Sequence, residues 1–565
     1  MKRTVIWAIV LLVVLLALGG GLAAVWLGKP ARHRAARTNP PIEPTEPVEP
    51  STATAHPPVH PPDKMEILLP GHRPLPEVDP DAMAPYVAKY CGACHKTPPA
   101  EILPKPVWVF VVSEMTSTWL PTLGIHLTRG QMEQLASYYV KLAPIALPIL
   151  PENYPPSPIA FEAREIGNRG FLTPLAANVN VVDLDQDGHL DIVVCDAELH
   201  TVSVIRRQGA QWTERKLADI KAPVHTEVFD ADGDGDLDIL VAALGQLMPT
   251  DKLTGRVVLL RQVEAGRFEP QTIVENIARV TDARPADVDG DGDLDYIVGM
   301  FGWRKSGGIL WMRQLEDGSF EKNLISEKHG PIRLRPTDLN GDGLMDFVIM
   351  IAQEFEQIVA FINTGDDGYG EDFTRFEPHI LYEAPYPMYG SSGMSMVDLD
   401  RDGDLDVLFT NGDAFDLDKN PKPYHGVQWL ENRGGMKFRF HDIGRFYGAM
   451  ASAAGDLDGD GDLDVVAASQ YNDWRRAHAN CLVWYENDGR QHFTRHNLGR
   501  ATTHLATVAV GDLDGDGRLD IVGGSVYTGA TEIDDDSPFQ FPPPGKRKRV
   551  MLWRNLGPTT KRVSK

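Results

Sequence analysis

The sequence predicts a multi-domain chain: an N-terminal transmembrane helix, a small all-α domain and an all-β seven-bladed propeller. Three observations carry that expectation. An acidic loop of the form D-x-[DN]-x-D-G-x-x-D recurs seven times, starting at Asp183, Asp230, Asp287, Asp338, Asp398, Asp456 and Asp512. The starts are 47, 57, 51, 60, 58 and 56 residues apart, about one four-stranded blade each. The stretch CGACH, residues 91–95, lies in a region of helical periodicity, and residues 4–28 form an uncharged apolar run.

Residues 1–29 read as a membrane anchor or a signal segment. The apolar run is long enough to span a bilayer, and a small-x-small site at Gly21-Leu22-Ala23 leaves a cleaved signal peptide open. Lys29, Arg32, Arg34 and Arg37 follow the run, whereas only Lys2 and Arg3 precede it. Charge counting alone therefore puts the rest of the chain in the cytoplasm. The haem reading given below favours the opposite orientation, with a single pass through a bacterial cell membrane and the bulk on the periplasmic side. Residues 30–80 read as a linker, with nine prolines within 40–62 making it extended and semi-rigid.

Residues 81–148 form the helical domain. DPDAMAPYVAKYCGACH starts a helix at Asp81 that runs into the cysteine motif. In residues 127–142, Leu127, Met132, Leu135, Tyr138, Tyr139 and Leu142 recur at helical spacing, with Thr128 as N-cap.

Residues 155–558 form the propeller, and 559–565 a tail. Within each repeat, strand A precedes the acidic loop and strand B follows it. Strand C carries a Trp-x-Glu-Asn type run, and strand D a Phe-x-x-His type run, as in 427–443 and 481–498. The last repeat ends in strand C, VMLWRNLGP, while FEAREIG at 161–167 precedes the first loop as an orphan strand D. Joining the two closes the ring and leaves no open sheet edge.

Each loop offers oxygen ligands at its first, third, fifth and ninth positions. They are Asp183, Asp185, Asp187 and Asp191; Asp230, Asp232, Asp234 and Asp238; Asp287, Asp289, Asp291 and Asp295; Asp338, Asn340, Asp342 and Asp346; Asp398, Asp400, Asp402 and Asp406; Asp456, Asp458, Asp460 and Asp464; Asp512, Asp514, Asp516 and Asp520. Side chains alternating on a tight turn, a glycine at the reversal and a backbone carbonyl suit the hard cation Ca²⁺, up to seven in all. A strand follows each loop, and the glutamate twelve positions in that marks an EF-hand is missing. The formal net charge of −24 argues against a nucleic-acid partner, and seven divalent cations offset more than half of it.

These loops resemble the FG-GAP, or VCBS, repeats of integrin-type seven-bladed propellers over roughly residues 160–558. The resemblance implies that calcium is structural. CxxCH implies one covalent haem c, with thioethers from Cys91 and Cys94 and iron ligation by His95. Residues 81–148 resemble a small class I cytochrome c, whose sixth ligand precedes the last helix. Met115 has that position, with His126 and Met132 as rivals. Trp108 and Trp119 are expected to pack around the macrocycle. The other cysteines, Cys195 and Cys481, are read as buried free thiols.

The longest connections, 245–255, 301–308, 411–426, 470–480 and 528–549, all join strands B and C, so one face of the propeller is elaborated. On strand A, His225, Glu227, Asp282, Arg284, Arg333 and Arg335 fall on the side facing the axis, opposite small residues such as Gly393, Ser395, Ala451, Ala453 and Ala509. They read either as ion pairs between blades or as a pocket, His225, Asp282, Arg284, Arg333 and Arg335, that is the candidate catalytic site.

Three functions compete. The first is a membrane-tethered, extracytoplasmic haem protein that transfers electrons to or from a redox partner, with the propeller as docking platform. The second is a haem-linked dehydrogenase of a small-molecule reductant. The third is an adhesive propeller for a glycan or protein on the long-loop face.

Overall fold

The computed structural model describes residues 68–69 and 73–559, apart from 94, 152–153, 169–172, 367–374, 415–419, 528–541 and 543–544. The apolar run 4–28, linker residues 30–67, Cys94 and tail residues 560–565 lie outside the described residues. The described residues fall in one compact unit, 61–565. None of their helices is long and apolar enough to cross a membrane.

Seven four-stranded antiparallel sheets form the propeller. Six are built from consecutive strands. In the seventh, Leu505–Gly511, Asp520–Ser525 and Val550–Pro558 are completed by Ile159–Ile166, which pairs antiparallel with the last strand from Ile159↔Pro558 to Ile166↔Val550. This is the ring closure expected from the unmatched repeat halves. Each innermost strand touches the next around the whole ring, and the last, Leu505–Gly511, touches the first, Ala176–Val182.

Each second strand is six residues long and buried throughout, because neighbouring blades cover both its faces. Each begins with the ninth residue of its acidic loop. Outer strands such as Phe320–Ser326 are half-buried or exposed along their length. The strand C and strand D motifs prove to be a packing unit. Trp429 stacks on His441 at 4.5 Å, and His441 Nε2 lies 2.7 Å from Glu431; Trp484, His496 and Glu486 repeat the arrangement at 4.9 and 2.7 Å. Cys195 and Cys481 are buried and free.

Among the described residues the helical domain has three α-helices, Pro80–Cys91, Lys105–Glu114 and Arg129–Leu142, and shorter helical turns between them. The first starts one residue earlier than expected, because Asp79 caps it, accepting from the Asp81 N–H. Thr128 and Gln131 form a capping box on the last. The end of the proline-rich segment is not free linker: Leu75 packs on the helical core, Arg73 pairs with Glu133, and Lys141 donates to the Val78 carbonyl.

The helical domain sits on the elaborated face. One continuous apolar cluster runs from Trp108, Leu135 and Tyr139 to Tyr386, Tyr389 and Met394 of the fourth and fifth blades. Lys96 Nζ lies 2.5 Å from Glu383, and Arg304, in the connection 301–308, lies over Trp119. The segment leading to Ile159 crosses the sixth blade, where the Leu150 N–H donates to the Tyr447 hydroxyl and Arg495 covers the Tyr154 ring at 4.1 Å.

Candidate functional site

Three sites hold the candidate functional side chains. The first is a narrow, apolar-lined cleft in the helical domain. Cys91 closes the first helix and His95 lies just past it. Met115 begins a π-helical turn, Met115–Trp119, that extends the second helix. All three line the cleft, with Trp108, Val111, Val112, Trp119, Leu120 and Tyr139 supplying apolar walls. Trp108 is pinned by its indole N–H donating to the Ala100 carbonyl at 2.7 Å and stacks on Tyr139 at 4.0 Å. Burial pushes the Cys91 thiol up to about 11. His95 Nδ1 lies 2.8 Å from the Lys96 carbonyl, which can only accept. In the neutral ring the proton is then on Nδ1, which leaves the Nε2 lone pair for a metal. His126 is exposed, and neither it nor Met132 lines the cleft. Cys94 lies outside the described residues.

This donor set fits a haem. An apolar cleft brings together a thiol, an imidazole with one ring nitrogen hydrogen-bonded, and a thioether, the groups that attach or ligate such iron.

The second site is the set of acidic loops. In each, the first aspartate accepts from the N–H of the glycine five residues on, at 2.8 to 3.1 Å. Those glycines, Gly188 to Gly517, all have positive φ, between 84° and 104°, which is the sharp reversal the pattern implied. The loops gather carboxylates: Asp183, Asp185 and Asp187 have oxygens within 4.8 Å of one another, as do Asp230, Asp232 and Asp234, and Asp287, Asp289 and Asp291. In the fifth and sixth blades the ninth residue joins instead, as Asp398, Asp400 and Asp406, and Asp456, Asp458 and Asp464.

The ninth aspartate has a second task that the pattern did not show. Asp464 accepts from the N–H groups of Leu457 and Asn487, both at 2.9 Å, and so bolts the loop to strand C; Asp238, Asp295, Asp346 and Asp406 do the same. Burial raises these carboxyls, Asp464 to about 7 and Asp295 and Asp406 to about 6. A bound divalent cation reverses that trend by favouring the ionised form.

A further residue escaped the loop pattern because it lies on strand C, tens of residues away in most repeats. In four blades it is an arginine paired with the loop: Arg206 with Asp185 at 2.6 Å, Arg313 with Asp289 at 2.5 Å, Arg261 with Asp232, and Arg554 with Asp514. In the fifth and sixth blades it is a glutamate, Glu431 or Glu486, whose charge adds to those raising Asp400 and Asp458.

The third site is the axial channel, an open cavity of about 400 Å³. One side is charged. Asp282 is the hub: its carboxylate accepts from the Leu334 N–H at 3.0 Å and pairs with Arg284 Nε at 2.9 Å and Arg335 Nη1 at 3.4 Å. Arg284 also pairs with Glu227, and its Nη2 lies 2.8 Å from His225 Nε2. A guanidinium only donates, so that nitrogen accepts and the imidazole is neutral. Burial first, then Arg284, holds its pKa well below the ordinary value. The opposite side is lined by Gly393, Ser395, Ala451, Ala453, Thr507 and Ala509. The ion pairs between blades are formed, and His225, Glu227, Arg284, Arg333 and Arg335 line one wall of an open pocket; Asp282, expected in that pocket, is buried and does not line it.

A crystal structure of BBS1N in complex with ARL6DN, soaked with mercury, is similar at a TM-score of 0.39 and 11% identity, covering 71% of this chain and 97% of that one. The same complex soaked with lead gives 0.41 and 12%, covering 71% and 98%. No curated protein matches the chain. The family described as FG-GAP-like repeat matches residues 183–241, 287–349, 338–409, 420–467 and 456–523, covering half of the sequence. With seven blades each opened by one of these loops, the chain belongs to the FG-GAP-like repeat family.

Proposed function

We propose that the protein is an extracytoplasmic, membrane-tethered electron carrier, in which a covalent haem c in the helical domain exchanges electrons and a calcium-stabilised propeller is the docking platform. The observation that carries this reading is the cleft shared by Cys91, His95 and Met115. Cys91, with Cys94, would hold the haem covalently, and His95 and Met115 would ligate its iron, which supplies one-electron chemistry when bound. The chain's own residues do the rest. The Lys96 carbonyl orients His95, Trp108 and Tyr139 exclude water, and Trp119 forms the wall toward the propeller.

The docking role rests on position. The helical domain occupies the third to fifth blades of the elaborated face, among its long connections. The test is to produce the full chain with cytochrome c maturation. Haem that stays attached in a denaturing gel, lost in Cys91→Ser and in Cys94→Ser, is the expected result. A chain that acquires no covalent haem overturns the reading. Reduction of the oxidised haem by a small alcohol, sugar or acid alone, without a protein partner, would instead make it a dehydrogenase.

A further inference from the structure

The charged wall of the axial channel is unbalanced. Arg284, Arg333 and Arg335 bring three guanidinium groups to it, against the carboxylates of Glu227 and Asp282, and His225 is neutral. Arg284 is held tightly by both carboxylates. Arg335 reaches Asp282 only at 3.4 Å. Arg333 donates to the carbonyl of its neighbour Ile332 at 2.9 Å and, among the described residues, has no carboxylate within ion-pair distance. A cation removed from bulk water without a counter-ion is unfavourable, and burial lowers the pKa of both Arg333 and Arg335.

Arg333 and Arg335 stand two residues apart on the strand Pro331–Thr337, so their side chains leave the same face. Both line the channel. Two neighbouring planar forks with donors to spare suit the oxygens of a carboxylate. The facing wall is short side chains, with hydroxyls at Ser395 and Thr507. The channel therefore has an excess cation on one side and room on the other.

We propose that the channel is a binding site for a small organic carboxylate, with Arg333 and Arg335 holding its charged end and the Ser395 and Thr507 side facing its remainder. The proposal stands apart from the haem reading, since it uses no residue of the helical domain.

The test is calorimetric titration of the full-length protein, in detergent and saturating Ca²⁺, with succinate, inorganic phosphate and glucose in separate runs. Succinate binding is expected, weakened about tenfold or more in Arg333→Gln, the loss of one charge-assisted contact. Arg333→Lys should retain part of it. Ala453→Glu, which puts a carboxylate on the facing wall, should abolish it while leaving the melting temperature unchanged or higher. That second variant keeps the test decisive if Arg333→Gln folds poorly. Absence of succinate binding, equal binding in wild type and Ala453→Glu, or binding of phosphate but not succinate would each overturn the proposal.

Discussion

The Arg304 guanidinium lies 4.4 Å from the Trp119 ring centroid and at the same distance from that of Trp303, so a propeller loop clasps the wall of the helical-domain cleft. The loop is itself fixed, because Asp251 accepts from the N–H groups of Arg304, Lys305 and Ser306 at 2.8 to 3.1 Å. The clasp should couple the domains by about 0.5–2 kcal/mol, the range for a cation over an aromatic face. A double-mutant cycle of Arg304→Ala with Trp119→Leu, read as denaturation midpoints of the helical domain, measures it. The Lys96–Glu383 pair is half exposed and should contribute less when broken by Glu383→Gln.

Met115 shares the cleft with His95, whereas His126 and Met132 do not. If haem is bound there, Met115→Ala should remove the sulfur-to-iron absorption of the oxidised protein and lower its midpoint potential. His126→Ala and Met132→Ala should leave both unchanged. Loss of that absorption in Met132→Ala but not in Met115→Ala would reverse the assignment.

The repeat was the most legible part of the sequence. Its period, its Asp and Gly positions and the unmatched half-blades at 161–167 and 550–558 follow from chain-local patterns, and the closing strand pairs as they require. What stayed hidden depends on contacts between distant segments. The loop pattern could not show that Asp464 bolts the loop to Asn487, because a buried carboxylate that accepts backbone hydrogen bonds has the same spacing as a metal ligand. The placement of the helical domain on the long-loop face was equally hidden, since Trp119 and Arg304 are 185 residues apart in sequence. The charge on strand A was visible, but its pairing was not: which arginine meets Asp282 is decided by packing between blades.

The seven loops should not bind calcium alike. Arg206, Arg261, Arg313 and Arg554 place a cation on the aspartate at the third position of their loops, which competes with a metal ion. Glu431 and Glu486 instead add negative charge beside Asp400 and Asp458. Titration of the chelator-treated protein should therefore show a tight class from the fifth and sixth blades and a weaker class from the four arginine blades. Glu431→Gln with Glu486→Gln should weaken the tight class by about tenfold, roughly one charge interaction at partial exposure. Arg313→Gln should tighten the third loop. Seven equal sites, unaffected by these variants, would remove the argument.

The acid limb of stability should report buried histidine. His425 is fully buried, its Nδ1 accepts from the Gly448 N–H at 3.3 Å, and burial first, then Lys422 and Arg445, holds its pKa well below the ordinary value of about 6.5. Below that pH the unfolded chain takes up a proton that the folded chain does not. The stability His425 contributes is thus complete above about pH 6.5 and is lost as pH falls, by about 1.4 kcal/mol per unit. His225, also buried neutral, adds a second contribution of the same sign. His425→Asn keeps an acceptor for Gly448 and removes the titrating ring. Urea midpoints in saturating Ca²⁺ at pH 7.5, 6.0 and 5.0 should fall more steeply for the wild type than for His425→Asn. Parallel lines for the two proteins would mean that His425 takes up its proton in the folded state as readily as in the unfolded one.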